Sequence, residues 1–405
     1  MHRVVVTGIG VISALGLDSE RFRAALYEGR GGIAPITLVD TSQMRIKNGA
    51  EVKDYVPDDF FPPKQLGFMD RFAQFAVIAA REAVDSSGLE WTPDLLENTA
   101  IITGACIGGR TLEESGYWEM YHNNRNRVHP LTIPLSMVNA GASHISIEFG
   151  IHGPTFTTAT ACASSAHAIG QAFWMVRSGA VPMAIAGGSE APMFFGGLKA
   201  WEAMRVVSSD TCRPFSLNRS GMILGEGAAM LILEPLETAL ARGARPLAEI
   251  AGFGMSSDAT HIIQPSQAGP ERAMCIALRD AGLKREQIGY INAHGTATEA
   301  NDSTEVAAIR GVFGAHADRL AISSTKSMHG HTLGAAGAIE AVTTVMALRD
   351  GVLPPTVNYT TPDPACDLDV IPHTARNVRV EAALSNSFAF GGLNAVLAFR
   401  SIDAL

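Results

Sequence analysis

The sequence predicts an α/β fold, a mainly parallel sheet covered by helices on both faces and built as two halves. Three observations predict it. Short β-branched strands alternate with longer segments of helical apolar spacing. Glycines, 40 of 405 residues, gather where strands pass into helices. Two small-residue helices end alike, as Val176-Arg177-Ser178-Gly179 and Leu348-Arg349-Asp350-Gly351. That likeness points to an internal duplication with the halves meeting near residue 245, although a basic residue followed by glycine is a common helix ending.

Val4–Thr7 reads as a short strand ending in Gly8-Ile9-Gly10. The glycine pair lacks the last glycine and the acidic residue of a dinucleotide fingerprint, so it reads as a packed turn. Met69–Ser87 has the apolar spacing of a helix. Thr99–Thr103 is a buried strand ending at Gly104, and Met183–Ala186 is another ending at Gly187-Gly188. Between them, Ala163–Arg177 reads as a tightly packed helix. The second half restates the pattern. Leu247–Ile250 starts a strand, Glu271–Ala281 is a helix, and Ile288–Ala293 is a strand ending at His294. Ala321–Ser324 is a strand leading through glycines into a helix from Leu333 to Arg349. Leu384–Ser387 and Ala395–Phe399 read as a closing hairpin. No Pro/Ser-rich linker divides the chain, so residues 1–245 and 246–405 are expected to form one fused body.

A 47% hydrophobic composition over this length provides an ample core. The formal net charge of −9 does not suit nucleic-acid binding by the whole molecule, though a local basic patch could meet an acidic partner. No run of about 18 apolar residues suggests a membrane span. The opening MHRVVVTGIGVIS is too short and strand-like for a signal peptide. The cysteines are Cys106, Cys162, Cys212, Cys275 and Cys366, odd in number and with no C-x-x-C. A disulfide framework and a zinc site are both disfavoured, and a cytoplasmic enzyme with reduced thiols is expected.

Four segments carry chemistry. In Thr160-Ala161-Cys162-Ala163-Ser164-Ser165, a cysteine opens a helix, where the helix dipole favours the nucleophilic thiolate. A buried inert cysteine is the competing reading. In Asn292-Ala293-His294-Gly295-Thr296-Ala297-Thr298, a histidine ends a buried strand at the crevice where α/β sheets bind ligands, with two threonines able to bond an extended polar arm. In Ser324-Thr325-Lys326-Ser327-Met328-His329-Gly330-His331, a lysine lies beside imidazoles and would keep them neutral. His329 and His331 could also bind a metal, but no third ligand suggests itself. In Asn386-Ser387-Phe388-Ala389-Phe390-Gly391-Gly392, the glycine turn frees backbone N–H groups that could join that of Cys162 in an oxyanion hole. A core histidine, a polar turn and an ordinary hairpin are the plain alternatives for the last three. Together the segments describe a nucleophile with two neutral hydrogen-bond donors, suited to thioester chemistry.

The cysteine segment, N-A-H-G-T-A-T, T-K-S-M-H-G-H-T-L-G-A-A-G and N-S-F-A-F-G-G-L-N-A resemble the β-ketoacyl-[acyl-carrier-protein] synthases of the thiolase superfamily. The likeness runs from Val4 to Arg400 and leans toward synthase II. The H-G-H at His329 and L-K-A-W-E-A-M-R at 198–205 resemble the nodulation protein E-like subgroup. The resemblance implies a thiolase-like five-layer αβαβα fold and a homodimer, with a heterodimer with a chain-length-factor-like subunit as the alternative. It implies that Cys162 takes an acyl chain from an acyl carrier protein. A malonyl group on that carrier then loses carbon dioxide and attacks the acyl thioester, extending a fatty-acyl or polyene chain by two carbons. His294 and His331 would stabilise the enolate, with Lys326 polarising them. Backbone N–H groups of Cys162 and Phe390 would form the oxyanion hole, Phe390 also acting as a gate. Thr296 and Thr298 would hold the pantetheine, and Cys106, Ile107 and Phe388 would touch substrate. Glu340 and Asn386 fall at structural positions that can line a monovalent-cation site. Lys64, Arg71, Arg125, Arg127, Arg205 and Arg213 are candidate contacts for an acidic carrier protein. No resident cofactor or metal is implied. Cys106, Met222, Ser216, Ser220 and His329 depart from the usual pattern and place acyl specificity in question. A coenzyme A thiolase would need a second cysteine near His331, which this chain lacks.

Overall fold

Val4-Val5-Val6 opens a ten-residue strand, β1 (Val4–Ser13), that runs straight through Gly8 and Gly10. The glycines are therefore not a turn. In the computed structural model, which describes residues 1–404, a methyl group at either would overlap a carbonyl oxygen of helix α1 (Arg71–Ser87), of Ala83 or Ala79 respectively. Their function is close helix-on-strand approach. Asp70 caps α1 through the N–H of Phe72, and Gly88 ends it in the left-handed region at φ 61°.

The first half continues with β2 (Ala100–Gly104), β3 (Thr155–Thr158), helix α2 (Ser164–Ser178), β4 (Ala184–Glu190) and β5 (Gly227–Pro235). The second half has β6 (Ala248–Ser257), α3 (Ala268–Ala281), β7 (Ile288–Asn292), α4 (Glu299–Phe313), β8 (Ala321–Ser323), α5 (Ala336–Asp350), β9 (Ala382–Ala389) and β10 (Leu393–Arg400). The closing hairpin forms as expected, with Ser385 opposite Leu397.

The strand order is β8-β7-β9-β10-β6-β1-β5-β4-β2-β3. Both halves thus read first, fifth, fourth, second, third from the middle outwards. Pairings match as well. In the first half β2 runs parallel to β3 and β4, while β5 runs antiparallel to β4 and β1. In the second, β7 runs parallel to β8 and β9, while β10 runs antiparallel to β9 and β6. The sheets are therefore mixed rather than mainly parallel. The reason is β5 and β10, which return antiparallel to both neighbours beside the first strand of each half.

The two sheets join through a short antiparallel contact of Val4–Val6 with Ala248–Ile250. Elsewhere they face each other across α2 and α5, which pack against strands of both halves. Helix α1 covers the outside of one sheet and α3 the outside of the other, with α4 packed on α3, giving five layers. Every residue from Ala336 to Leu348 is buried, as befits a helix with sheets on two sides.

Candidate active site

Cys162 sits in a short 3-10 turn, Ala161–Ala163, at the start of α2. Ala161 is left-handed at φ 49°, a strained conformation for a residue with a side chain. Ser164 braces the turn: its hydroxyl accepts from Thr160 N–H at 2.9 Å and donates to Ala161 O at 2.6 Å. The sulfur is buried. Burial pushes the thiol up to about 12, with Lys326 pulling it back. Burial thus opposes the thiolate that the helix start favours.

His294 follows the end of β7 and His331 follows the short helical turn Lys326–His329. Their rings meet edge to face with centroids 5.4 Å apart. Glu305 on α4 accepts from the N–H groups of His294 at 2.9 Å and Gly295 at 2.8 Å, fixing the first loop. Lys326 Nζ stands 3.4 Å from His294 Nδ1, donates to His294 O at 2.7 Å and is ion-paired with Glu340. Leu333 N–H donates to His331 Nδ1 at 3.3 Å. Both Nδ1 atoms accept, so both imidazoles carry their proton on Nε2. Burial first, then Lys326, holds both well below the usual histidine range. They are neutral donors.

A cleft of about 120 Å3 brings together Cys162, Met222, His294, Thr296, Thr298, His331, Phe388 and Phe390. The threonine hydroxyls lie 2.9 Å apart. Phe390 stacks on Trp201 at 6.2 Å. The glycine amides expected for an oxyanion hole are already engaged: Gly391 N–H donates to Ile262 O at 2.8 Å and Gly392 N–H to Ala389 O at 3.0 Å. Of the turn's amides, that of Phe390 remains the candidate beside Cys162.

Several residues lie outside this cleft, some of them close beside it. Cys106 and Ile107 do not line this cleft; they sit in the loop after β2, where Glu190 accepts their N–H groups at 2.6 and 3.2 Å. His329 is fully buried behind the site, bonded through Nδ1 to Gly330 O and through Nε2 to Thr325 Oγ1, both at 2.9 Å. Both its nitrogens are engaged within the protein. Arg71 is half-buried. Its guanidinium pairs with buried Glu226 at 2.6 Å and lies over Tyr55 and Phe75. Arg213 is half-buried and pairs with Asp210, whereas Lys64, Arg125, Arg127 and Arg205 are exposed.

Glu340 Oε2, Asn386 Oδ1, Ser387 Oγ and Asn292 Oδ1 are buried without a hydrogen-bond partner. Asn386 turns toward Glu305 on one face of β9 and Ser387 toward Gly337 on the other. Sequence reasoning missed Glu190 and Glu305, since a lone acid at a strand end or within a helix carries no motif.

A buried cysteine facing two neutral imidazole donors, on a duplicated five-layer α/β body, defines a thioester-forming acyltransferase of the ketosynthase class. Comparison with known proteins gives its kinship. Residues 1–239 match the β-ketoacyl synthase N-terminal domain and residues 247–360 the C-terminal domain. The chain is 48% identical to nodulation protein E of a Rhizobium species, covering 99% of this chain and 100% of that one. It is 43% identical to 3-oxoacyl-[acyl-carrier-protein] synthase 2 of Synechocystis, covering 98% of each. The ishigamide ketosynthase/chain length factor structure superposes with a TM-score of 0.94 at 38% identity, covering 99% of each chain. The chain belongs to the β-ketoacyl synthase family.

Proposed function

We propose that this enzyme extends an acyl chain held on Cys162 by decarboxylative condensation with a malonyl group carried on an acyl carrier protein. The observation that supports it best is the pair of Nε2–H imidazoles beside the cysteine. In the first stage the Cys162 sulfur attacks the acyl thioester carbonyl. The pantetheine sulfur leaves and takes the proton of the cysteine. In the second, the malonyl thioester enters with its carbonyl oxygen toward His294 and His331. The bond to the carboxylate breaks, carbon dioxide departs, and the electron pair becomes an enolate held by the two N–H donors. The enolate carbon attacks the acyl carbonyl of Cys162, and the cysteine sulfur is expelled as a thiolate that takes up a proton from water. Neutral donors suit this step, since a cation there would already be paired with the malonyl carboxylate.

Thr296 and Thr298 would bind the pantetheine arm, and the N–H groups of Cys162 and Phe390 would hold the tetrahedral oxyanion. No resident cofactor is needed. A monovalent cation near Glu340 and Asn386 would supply positive charge behind Lys326. Exposed Lys64, Arg125, Arg127 and Arg205 would meet the acidic carrier. The five cysteines, all free, suit a reducing cytoplasm. No described helix is long and apolar enough to cross a membrane.

The free edge of β3 with its half-exposed Phe156 favours sheet pairing with a second copy. Sedimentation of the chain alone as a dimer supports the homodimer. A monomer active only with another subunit favours a chain-length-factor-like partner, such as the one named with the ishigamide enzyme.

The test is intact mass spectrometry. A panel of acyl-carrier proteins should add an acyl mass to the wild type and none to Cys162→Ala, and malonyl-carrier protein should then discharge it as a product two carbons longer. An acyl mass that stays on after malonyl addition defeats the reading. The same panel reports chain length and tolerance of unsaturation.

A further inference from the structure

Glu190 ends β4 fully buried, and no Lys, Arg or His forms an ion pair with it among the described residues. Its carboxylate accepts four backbone N–H groups. Three come from the loop beside Cys162: Cys106 at 2.6 Å, Ile107 at 3.2 Å and Gly108 at 3.1 Å. The fourth comes from the other half, Gly334 at 3.1 Å. Successive amides of this kind form an anion-binding concavity, here filled by the chain's own side chain.

The Gly334 contact has a counterpart. Thr160-Ala161-Cys162-Ala163 opens α2, and Thr332-Leu333-Gly334-Ala335 opens α5. Each is a 3-10 turn leading into a fifteen-residue helix, and each has a left-handed second residue, Ala161 at φ 49° and Leu333 at φ 46°. Gly334 therefore stands where Cys162 stands in the other half. The amide that would face a substrate oxyanion at Cys162 faces Glu190 at Gly334. Leu333, one residue before, is the residue whose N–H sets the tautomer of His331.

We propose that Glu190 is a positioning residue for the reaction proposed above, an internal anion that occupies the second helix start and holds the Cys106–Gly108 loop and the His331 turn in register. Burial pushes the Glu190 carboxyl up to about 7, the four amides pull it back toward the charged form, and that charge raises the Cys162 thiol.

The experiment compares full-length wild type, Glu190→Gln and Gly334→Ala. Cys162 alkylation by iodoacetamide at one alkaline pH gives a rate and a count of intact sites. Carbon dioxide release from malonyl-carrier protein is then expressed per intact site. Glu190→Gln keeps the shape, removes the charge and turns an NH2 toward amide donors. Its alkylation should be several-fold faster than wild type and its decarboxylation per site about tenfold slower. Gly334→Ala sets a methyl 2.5 Å from Glu190 Oε2 and Cys106 N, keeps the charge, and should slow decarboxylation without speeding alkylation. Wild-type alkylation in Glu190→Gln, or losses that merely track the count of intact sites, overturn the proposal. If Glu190→Gln does not fold, wild-type decarboxylation per site in Gly334→Ala overturns it. If the wild type itself releases no carbon dioxide, the reaction reading fails, and the alkylation rates still judge Glu190.

Discussion

Lys326 Nζ lies 3.4 Å from Nδ1 of His294 and is ion-paired, fully buried, with Glu340. One ammonium thereby fixes an imidazole tautomer and neutralises a carboxylate that burial drives up to about 7. Lys326→Met strands Glu340 and should lower unfolding free energy by about 3–5 kcal/mol. Adding Glu340→Met should recover part of that stability and none of the decarboxylation. Denaturant midpoints and carbon dioxide release check the two halves of this expectation.

His294→Ala and His331→Ala each remove one N–H donor. Malonyl decarboxylation should fall by about 100-fold or more in each. Acyl loading of Cys162 should continue, because neither ring is assigned to that stage. Wild-type carbon dioxide release from either variant would refute the enolate role.

The Cys162 thiol, pushed up to about 12, sets a sign for pH dependence. A raised thiol pKa favours the neutral form, so the reactive thiolate grows with each step in alkalinity. Alkylation of Cys162 should rise about tenfold per pH unit from pH ~8 to ~10 without levelling. A plateau near neutrality would show a thiolate at rest instead.

Phe390 stacks on Trp201 at 6.2 Å and is followed by two left-handed glycines, Gly391 at φ 84° and Gly392 at φ 69°. Trp201→Ala removes a contact of about 1 kcal/mol and should loosen the ring beside Cys162. The range of acyl lengths loaded onto Cys162 should widen, read by mass spectrometry, while Trp201→Phe should stay near wild type.

Gly10→Ala would drive a methyl into the carbonyl of Ala79 in α1. Destabilisation of about 2 kcal/mol or more is expected, seen as a lower denaturant midpoint. The same position shows what sequence reading missed. Gly8 and Gly10 look like breakers, yet they let a helix lie against the strand. Alternation of strands and helices was legible because apolar spacing changes from strand to helix. Strand sense was not. Gly227–Pro235 is buried along its whole length, and a continuous apolar run says nothing of direction. Cys162, His294, Lys326 and His331 were legible through their junction positions, and the fold brings all four together. The engaged amide at Gly391 and the pairing of Arg71 with Glu226 depend on residues far away in the sequence, so only the three-dimensional fold reveals them.

The repeated helix starts have a chemical consequence. Each chain carries the same turn twice but a sulfur in only one of them. An electrophile shaped for this turn should consume one equivalent per chain and find nothing to react with at Gly334. A second warhead site cannot be gained there by a cysteine alone, because Glu190 already holds that amide and its charge would keep the new thiol unreactive.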